Sequence, residues 1–122
     1  MRGDRIIRLM GGLQTRDPLY IDDAVEAFVA AARRADRLRG RALVIGGREE
    51  LSVKELATLV LQACHSNAEI VCDPADVRHT EIWRGACDLV ESDSLLGWKP
   101  RVSLREGIER TCATIVSARL IA

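Results

Sequence analysis

Two glycine pairs, Gly11-Gly12 and Gly46-Gly47, constrain the fold of this chain more than any other feature. Each stops a short apolar run and stands ahead of a helical pattern. Glycine reaches backbone conformations closed to other residues, so such pairs interrupt regular structure. The runs before them are too short for buried helices. They read as strands, Arg5 to Met10 and Ala42 to Ile45, the second buried between its bounding glycines. Short strands alternating with helices place the chain in the α/β class. Gly46-Gly47 reads as a turn, because neither G-x-G-x-x-G nor G-K-[ST] surrounds it.

The helices declare themselves through their ends. Pro18 excludes Asp17 from the helical region, so Thr15 to Pro18 is extended or turning. Asp22 and Asp23 then stand where exposed amides and the helix dipole favour acids. Val25, Phe28, Val29 and Ala32 recur at helical spacing and predict one buried face through about Ala35. Five arginines between Arg33 and Arg41 suit the C-terminal end of that helix, with Gly40 closing it. Ser52 and Glu55 form a capping box, Leu51 can staple onto Leu56, and Leu56, Leu59, Val60 and Ala63 predict the buried face of the next helix. Glu69 to Cys72 is the following strand, and Ile82-Trp83 a short extended piece. Asp88 to Leu96 suits a short helix, with Gly97 in its left-handed cap position. Ser103 with Glu106 opens the last helix, which runs towards Ala118 with Ile108, Cys112, Ile115 and Val116 facing inward.

Between the strand and the short helix lies a loop, Cys72 to Glu81, with a proline, alternating acids and no period of its own. Arg78 and Glu81 stand three residues apart in it. A guanidinium presents parallel donors that match phosphate oxygens. A carboxylate can accept from two vicinal hydroxyls, as on a ribose. The pair is able to grip one nucleotide at its phosphate and its sugar. By spacing alone, ordinary solvated loop charges are the better account of it.

Composition excludes several classes. Eighteen basic and eighteen acidic residues cancel, so no global field favours nucleic acid or a membrane surface. No apolar run approaches a bilayer span, and the first ten residues are too charged for a signal peptide. Cys64, Cys72, Cys87 and Cys112 show no C-x-x-C spacing, and with only His65 and His79 beside them no zinc site is predicted. They read as reduced thiols of a cytoplasmic protein. The length of 122 residues fits a single domain, residues 1–122, with one modest core.

Three stretches stand in an order shared with one enzyme family. They are Gln14-Thr15-Arg16-Asp17 through Tyr20-Ile21-Asp22-Asp23, Ile45-Gly46-Gly47 through Leu51-Ser52-Val53-Lys54-Glu55-Leu56, and Asp88 through Leu95-Leu96-Gly97-Trp98-Lys99-Pro100 with Val102-Ser103-Leu104. Together they resemble the C-terminal part of the NAD-dependent sugar-nucleotide epimerases and dehydratases, the extended short-chain dehydrogenases. The loop Asp73-Pro74 through Arg78-His79-Thr80-Glu81-Ile82 to Asp88 is most similar to the GDP-mannose 4,6-dehydratase type, with His79 in place of a usual proline. The resemblance implies that Arg78 binds the diphosphate of a nucleotide sugar, Glu81 its ribose hydroxyls, and Arg16 the diphosphate again.

What the resemblance leaves out is equally definite. The family carries a glycine-rich NAD fingerprint and a Tyr-x-x-x-Lys pair. Here the only tyrosine is Tyr20, with Ala24 where the lysine would stand. The expectation is therefore a nucleotide-sugar-binding portion without a complete Rossmann domain, binding neither NAD nor NADP and inactive alone. Its expected partners are a GDP- or UDP-linked sugar, a second copy of itself in a homo-oligomer, or a separate Rossmann-domain chain. A non-catalytic assembly module and a decayed remnant are the competing readings.

Overall fold

The computed structural model describes residues 5–119. The order of elements is β1 (Ile6–Met10), β2 (Thr15–Arg16), α1 (Ile21–Arg33), α2 (Ala35–Leu38), β3 (Leu51–Ser52), α3 (Val53–Ala63), β4 (Glu69–Asp73), α4 (Val90–Leu96) and α5 (Leu104–Arg119). It is the α/β pattern expected. Two small sheets carry the strands: β1 pairs in parallel with β4, from Ile6 opposite Glu69 to Met10 opposite Asp73, and β2 pairs antiparallel with β3.

The turn after β1 shows why its glycines are needed. Gly11 and Gly12 both have positive φ, and the Gln14 side chain folds into the space a Cβ at Gly11 would fill. Gln14 is buried, accepts from the Gly12 N–H at 2.6 Å and donates to the Met10 carbonyl at 2.8 Å. The carbonyls of Gly12 and Gln14 in turn accept from Lys54 and Val53, two first-turn amides of α3 that no helical carbonyl can reach. The capping box is formed in full: Ser52 accepts from the Glu55 amide, and the Glu55 carboxylate accepts from the Ser52 amide. Gly97 is the left-handed cap of α4, and the Ser103 hydroxyl accepts from the Glu106 amide at the start of α5.

The core is small. Ala27, Leu38, Leu96 and Trp98 form it, with Leu19, Ala30, Ala31, Leu43, Ile45 and Leu95 packed around them. This corrects the expected face of α1. The helix turns Asp23 and Ala27 inward, while Val25, Phe28, Val29 and Ala32 are exposed, Phe28 at 72%. The helix is apolar on both sides, and the smaller alanines fit the close approach to Trp98 and Leu96. Residues 42–45 form no strand. Leu43 and Ile45 lie against the core, Val44 is exposed, and the Val44 carbonyl accepts from the Ser92 hydroxyl instead of a neighbouring strand. The faces expected for α3 and α5 are only half covered. Leu56, Leu59 and Ala63 are half-buried and Val60 is exposed, while on α5 Cys112 is buried but Ile115 and Val116 are not. These two helices pack mainly on each other, around an apolar cavity of about 460 Å³.

Asp23 ties the two halves together. Only 2% exposed, its carboxylate accepts from the amides of Arg101 at 3.1 Å and Val102 at 2.9 Å, fixing the approach to α5 against α1. Among the described residues no helix is long and apolar enough to cross a membrane.

Candidate nucleotide-sugar site

The β2–β3 ribbon is the platform. Arg16 stands opposite Leu51, and Thr15 opposite Ser52. Residues 82–85 run along the other side of β2: the Thr15 amide donates to the Trp83 carbonyl at 2.9 Å, and the Gly85 amide to the Thr15 hydroxyl at 3.3 Å. A Cβ on Gly85 would come within 2.7 Å of the Thr15 carbonyl oxygen, so only glycine allows this approach. The expected Ile82-Trp83 piece lies along this side of β2, although it is not a regular strand.

That arrangement delivers Arg16 and Glu81 to one point. Arg16 Nη2 and Glu81 Oε1 are 2.5 Å apart, across a separation of 65 residues. Arg16 Nη1 also donates to the carbonyls of Thr15 at 2.7 Å and Ile82 at 2.8 Å. Three of the five guanidinium N–H groups are thus engaged. Glu81 is largely covered, its side chain 13% exposed. With the acid covered in this way, the pair fixes the carboxylate direction, since breaking it would strand a partly desolvated acid.

Arg78 stands one backbone turn before Glu81. Its carbonyl accepts from the Glu81 amide at 3.0 Å, closing a four-residue turn. Its own side chain is exposed and forms no ion pair among the described residues. So the structure joins Arg16 to Glu81 directly, and Arg78 to Glu81 through one turn. A held carboxylate can accept hydroxyls, and an exposed guanidinium three residues before it in the chain can receive a phosphate.

A second charged cluster backs the platform and was not anticipated. The Glu50 carboxylate accepts from Arg84 Nη2 at 3.1 Å and from the Thr15 hydroxyl at 2.5 Å. Those bonds, Arg84 first and Thr15 second, hold the Glu50 carboxyl below its ordinary value and raise the Arg84 guanidinium. No local sequence pattern marks Glu50 or Arg84, which lie 34 residues apart. Behind Arg16, Asp17 accepts from the Glu49 amide at 3.2 Å and stands next to Cys87, whose thiol is pushed up by burial and then by the Asp17 charge.

Close neighbours crowd both glycine pairs. A Cβ on Gly46 would meet the Asp17 carboxylate and one on Gly47 the Pro18 carbonyl, while Gln14, Val77 and Cys72 fill the space beside Gly11 and Gly12.

Comparison with known proteins bears on this geometry. Residues 2–111 match the family model described as GDP-mannose 4,6 dehydratase. The chain belongs to this family. It is an NAD-dependent epimerase/dehydratase sequence of the extended short-chain dehydrogenase type, with the fold of its C-terminal part. It is 34% identical to a UDP-glucose 4-epimerase of Mycolicibacterium smegmatis, over 88% of this chain and 33% of that one. With the dTDP-D-glucose 4,6-dehydratase of Bos taurus it shares 36% identity, over 82% of this chain and 29% of the relative. Among solved structures, an epimerase from Methanothermobacter thermautotrophicus superposes with a TM-score of 0.85 at 27% identity, over 96% of this chain and 34% of that one. A UDP-glucuronic acid 4-epimerase from Bacillus cereus, in complex with UDP-glucuronic acid and NAD, superposes at 0.80 and 28% identity, over 91% and 35%. The chain spans about a third of the length of the relatives it matches.

Proposed function

We propose that this chain is the nucleotide-sugar-binding portion of a sugar-nucleotide epimerase or dehydratase, and that Arg78, Arg16 and Glu81 form its nucleotide contact. The observation that carries this is the convergence of Arg16 and Glu81 from distant segments, with an exposed Arg78 one backbone turn before Glu81. Arg78 takes the diphosphate. Arg16 positions Glu81 and turns its two unclaimed N–H groups to the same phosphates. Glu81, oriented by Arg16, accepts from the ribose hydroxyls. The ligand is a GDP- or UDP-linked sugar, in keeping with UDP-glucuronic acid in the Bacillus cereus relative.

In this reading the chain does not catalyse alone. It has no Tyr-x-x-x-Lys pair, close neighbours crowd its glycine turns, and among the described residues none of three cavities is lined by Arg16, Arg78 or Glu81. The open site is half a pocket in a cytoplasmic protein. A cofactor-bearing domain on the same or another chain supplies the other half and the nicotinamide. Calorimetry tests the proposal: GDP, UDP or their sugars release heat on titration into the chain, whereas NAD and NADP do not. Heat from NAD at micromolar affinity, or none from any nucleotide, overturns it.

A second reading, an assembly module, is favoured by one observation. Ile21, Val25, Phe28 and Val29 on α1, with Ile6, Ile7 and Met10 on β1, are exposed. Bare apolar faces and a two-stranded sheet with open edges invite pairing. Light scattering should then show a homodimer or larger species, and a monomer at high micromolar concentration removes this reading.

A further inference from the structure

Cys64 caps the C-terminal end of α3 and is exposed, whereas Cys112 is buried within α5. The two helices pack side by side, and both cysteines line the cavity between them. The nearby Cys64 thiol, together with burial, pushes the Cys112 thiol up to about 11. The other two cysteines are committed elsewhere, Cys72 against Gly12 and Cys87 against Gly46.

We propose that Cys64 and Cys112 are a redox dithiol that closes into an intramolecular disulfide joining α3 to α5. The oxidant is a low-molecular-weight disulfide such as oxidised glutathione. Cys64 starts the exchange, because it is the accessible thiol and Cys112 stays protonated near neutral pH. Its thiolate attacks one sulfur of the oxidant, the oxidant's S–S bond breaks, and one glutathione leaves, taking up the proton that Cys64 gave to solvent. The Cys112 sulfur, held beside the mixed disulfide, then displaces the second glutathione, which takes the Cys112 proton. Two protein thiols are oxidised and one disulfide is reduced to two thiols. The segment enclosed by the new bond carries Arg78 and Glu81, so closure ties the candidate site to the helix pair.

The test is incubation of the full chain with oxidised glutathione, quenching by alkylation, and peptide mass mapping. The expected product is a monomer lighter by two hydrogens, with Cys64 and Cys112 in one linked peptide. It migrates faster on a non-reducing gel, melts at a higher temperature, and reverts with dithiothreitol. A Cys72→Ser/Cys87→Ser double variant still forms the link, whereas Cys64→Ser and Cys112→Ala do not. Should Cys112→Ala fail to fold, the map of the unaltered chain decides. A persistent glutathione adduct on Cys64, a Cys64-to-Cys64 link between two chains, or a link through Cys72 or Cys87 overturns the proposal.

Discussion

Replacing Asp23 by alanine should unfold the chain more readily than any other single change to a charged residue. Its carboxylate accepts from two backbone amides, at Arg101 and Val102, in a site only 2% exposed. Hydrogen bonds to a charged acceptor are worth about 1.5–3 kcal/mol each, so the pair contributes roughly 3–6 kcal/mol. The Arg101 side chain is exposed, and water can reach its amide once the carboxylate is gone, which brings the expected loss to about 3 kcal/mol. For a domain of this size that is on the order of 10–15 °C in Tm. Asp23→Asn keeps one carbonyl oxygen as acceptor and should lose about half as much. Asp22→Ala is the control, because Asp22 is exposed and contributes only through the dipole, about 0.3–1 kcal/mol. Urea unfolding followed by circular dichroism measures all three. If Asp23→Ala falls within about 0.5 kcal/mol of the unaltered chain, or Asp22→Ala costs as much, the clamp is not what holds α5 to α1.

Three further outcomes follow from the same structure. Ser52→Ala removes the acceptor of the Glu55 amide and should cost about 0.5–2 kcal/mol by urea unfolding, with Ser52→Asp retaining most of the stability. Glu50, held below its ordinary value of 4.5 by Arg84 and Thr15, gives stability that is present above that value and lost as the pH falls through its lowered one. Glu50→Gln should therefore flatten the acid limb of the melting-temperature profile. Cys112, raised from 9.0 to about 11, favours the folded state while protonated, so stability is full below about 9 and declines as the pH climbs to 11. A Cys112→Val chain kept reduced should show a shallower alkaline limb in the same profile.

Local features were legible in the residues, and long-range ones were not. The Ser52–Glu55 box and the Gly97 cap are complete within one helical turn, so their patterns fixed both ends correctly. Asp22 and Asp23 look alike in sequence. Only the arrival of Arg101, 78 residues on, makes one a buried clamp and leaves the other in solvent. The apolar stripe of α1 marked a face that needs covering, but not whether this chain covers it. Residues 42–45 had strand composition, yet the Val44 carbonyl finds Ser92 and not a sheet edge. At the site, residue type suggested what Arg78 and Glu81 can bind and the family resemblance added Arg16, while the Arg16–Glu81 contact depends on Gly85 letting a second segment lie against β2.

In the proposed function Arg78 and Glu81 hold a nucleoside diphosphate sugar at its phosphates and its ribose. Ligand-observed NMR titration of GDP and UDP against the unaltered chain, Arg78→Ala and Glu81→Gln tests it most directly. With only half a pocket, the unaltered chain should bind at about a millimolar to tens of micromolar. Arg78→Ala should weaken binding roughly ten- to a hundredfold, the equivalent of about 1.5–3 kcal/mol. Glu81→Gln should lose less, since an amide oxygen still accepts from ribose, and Arg78→Lys should restore only part, lacking the guanidinium fork. Equal signals from all these proteins would contradict the account.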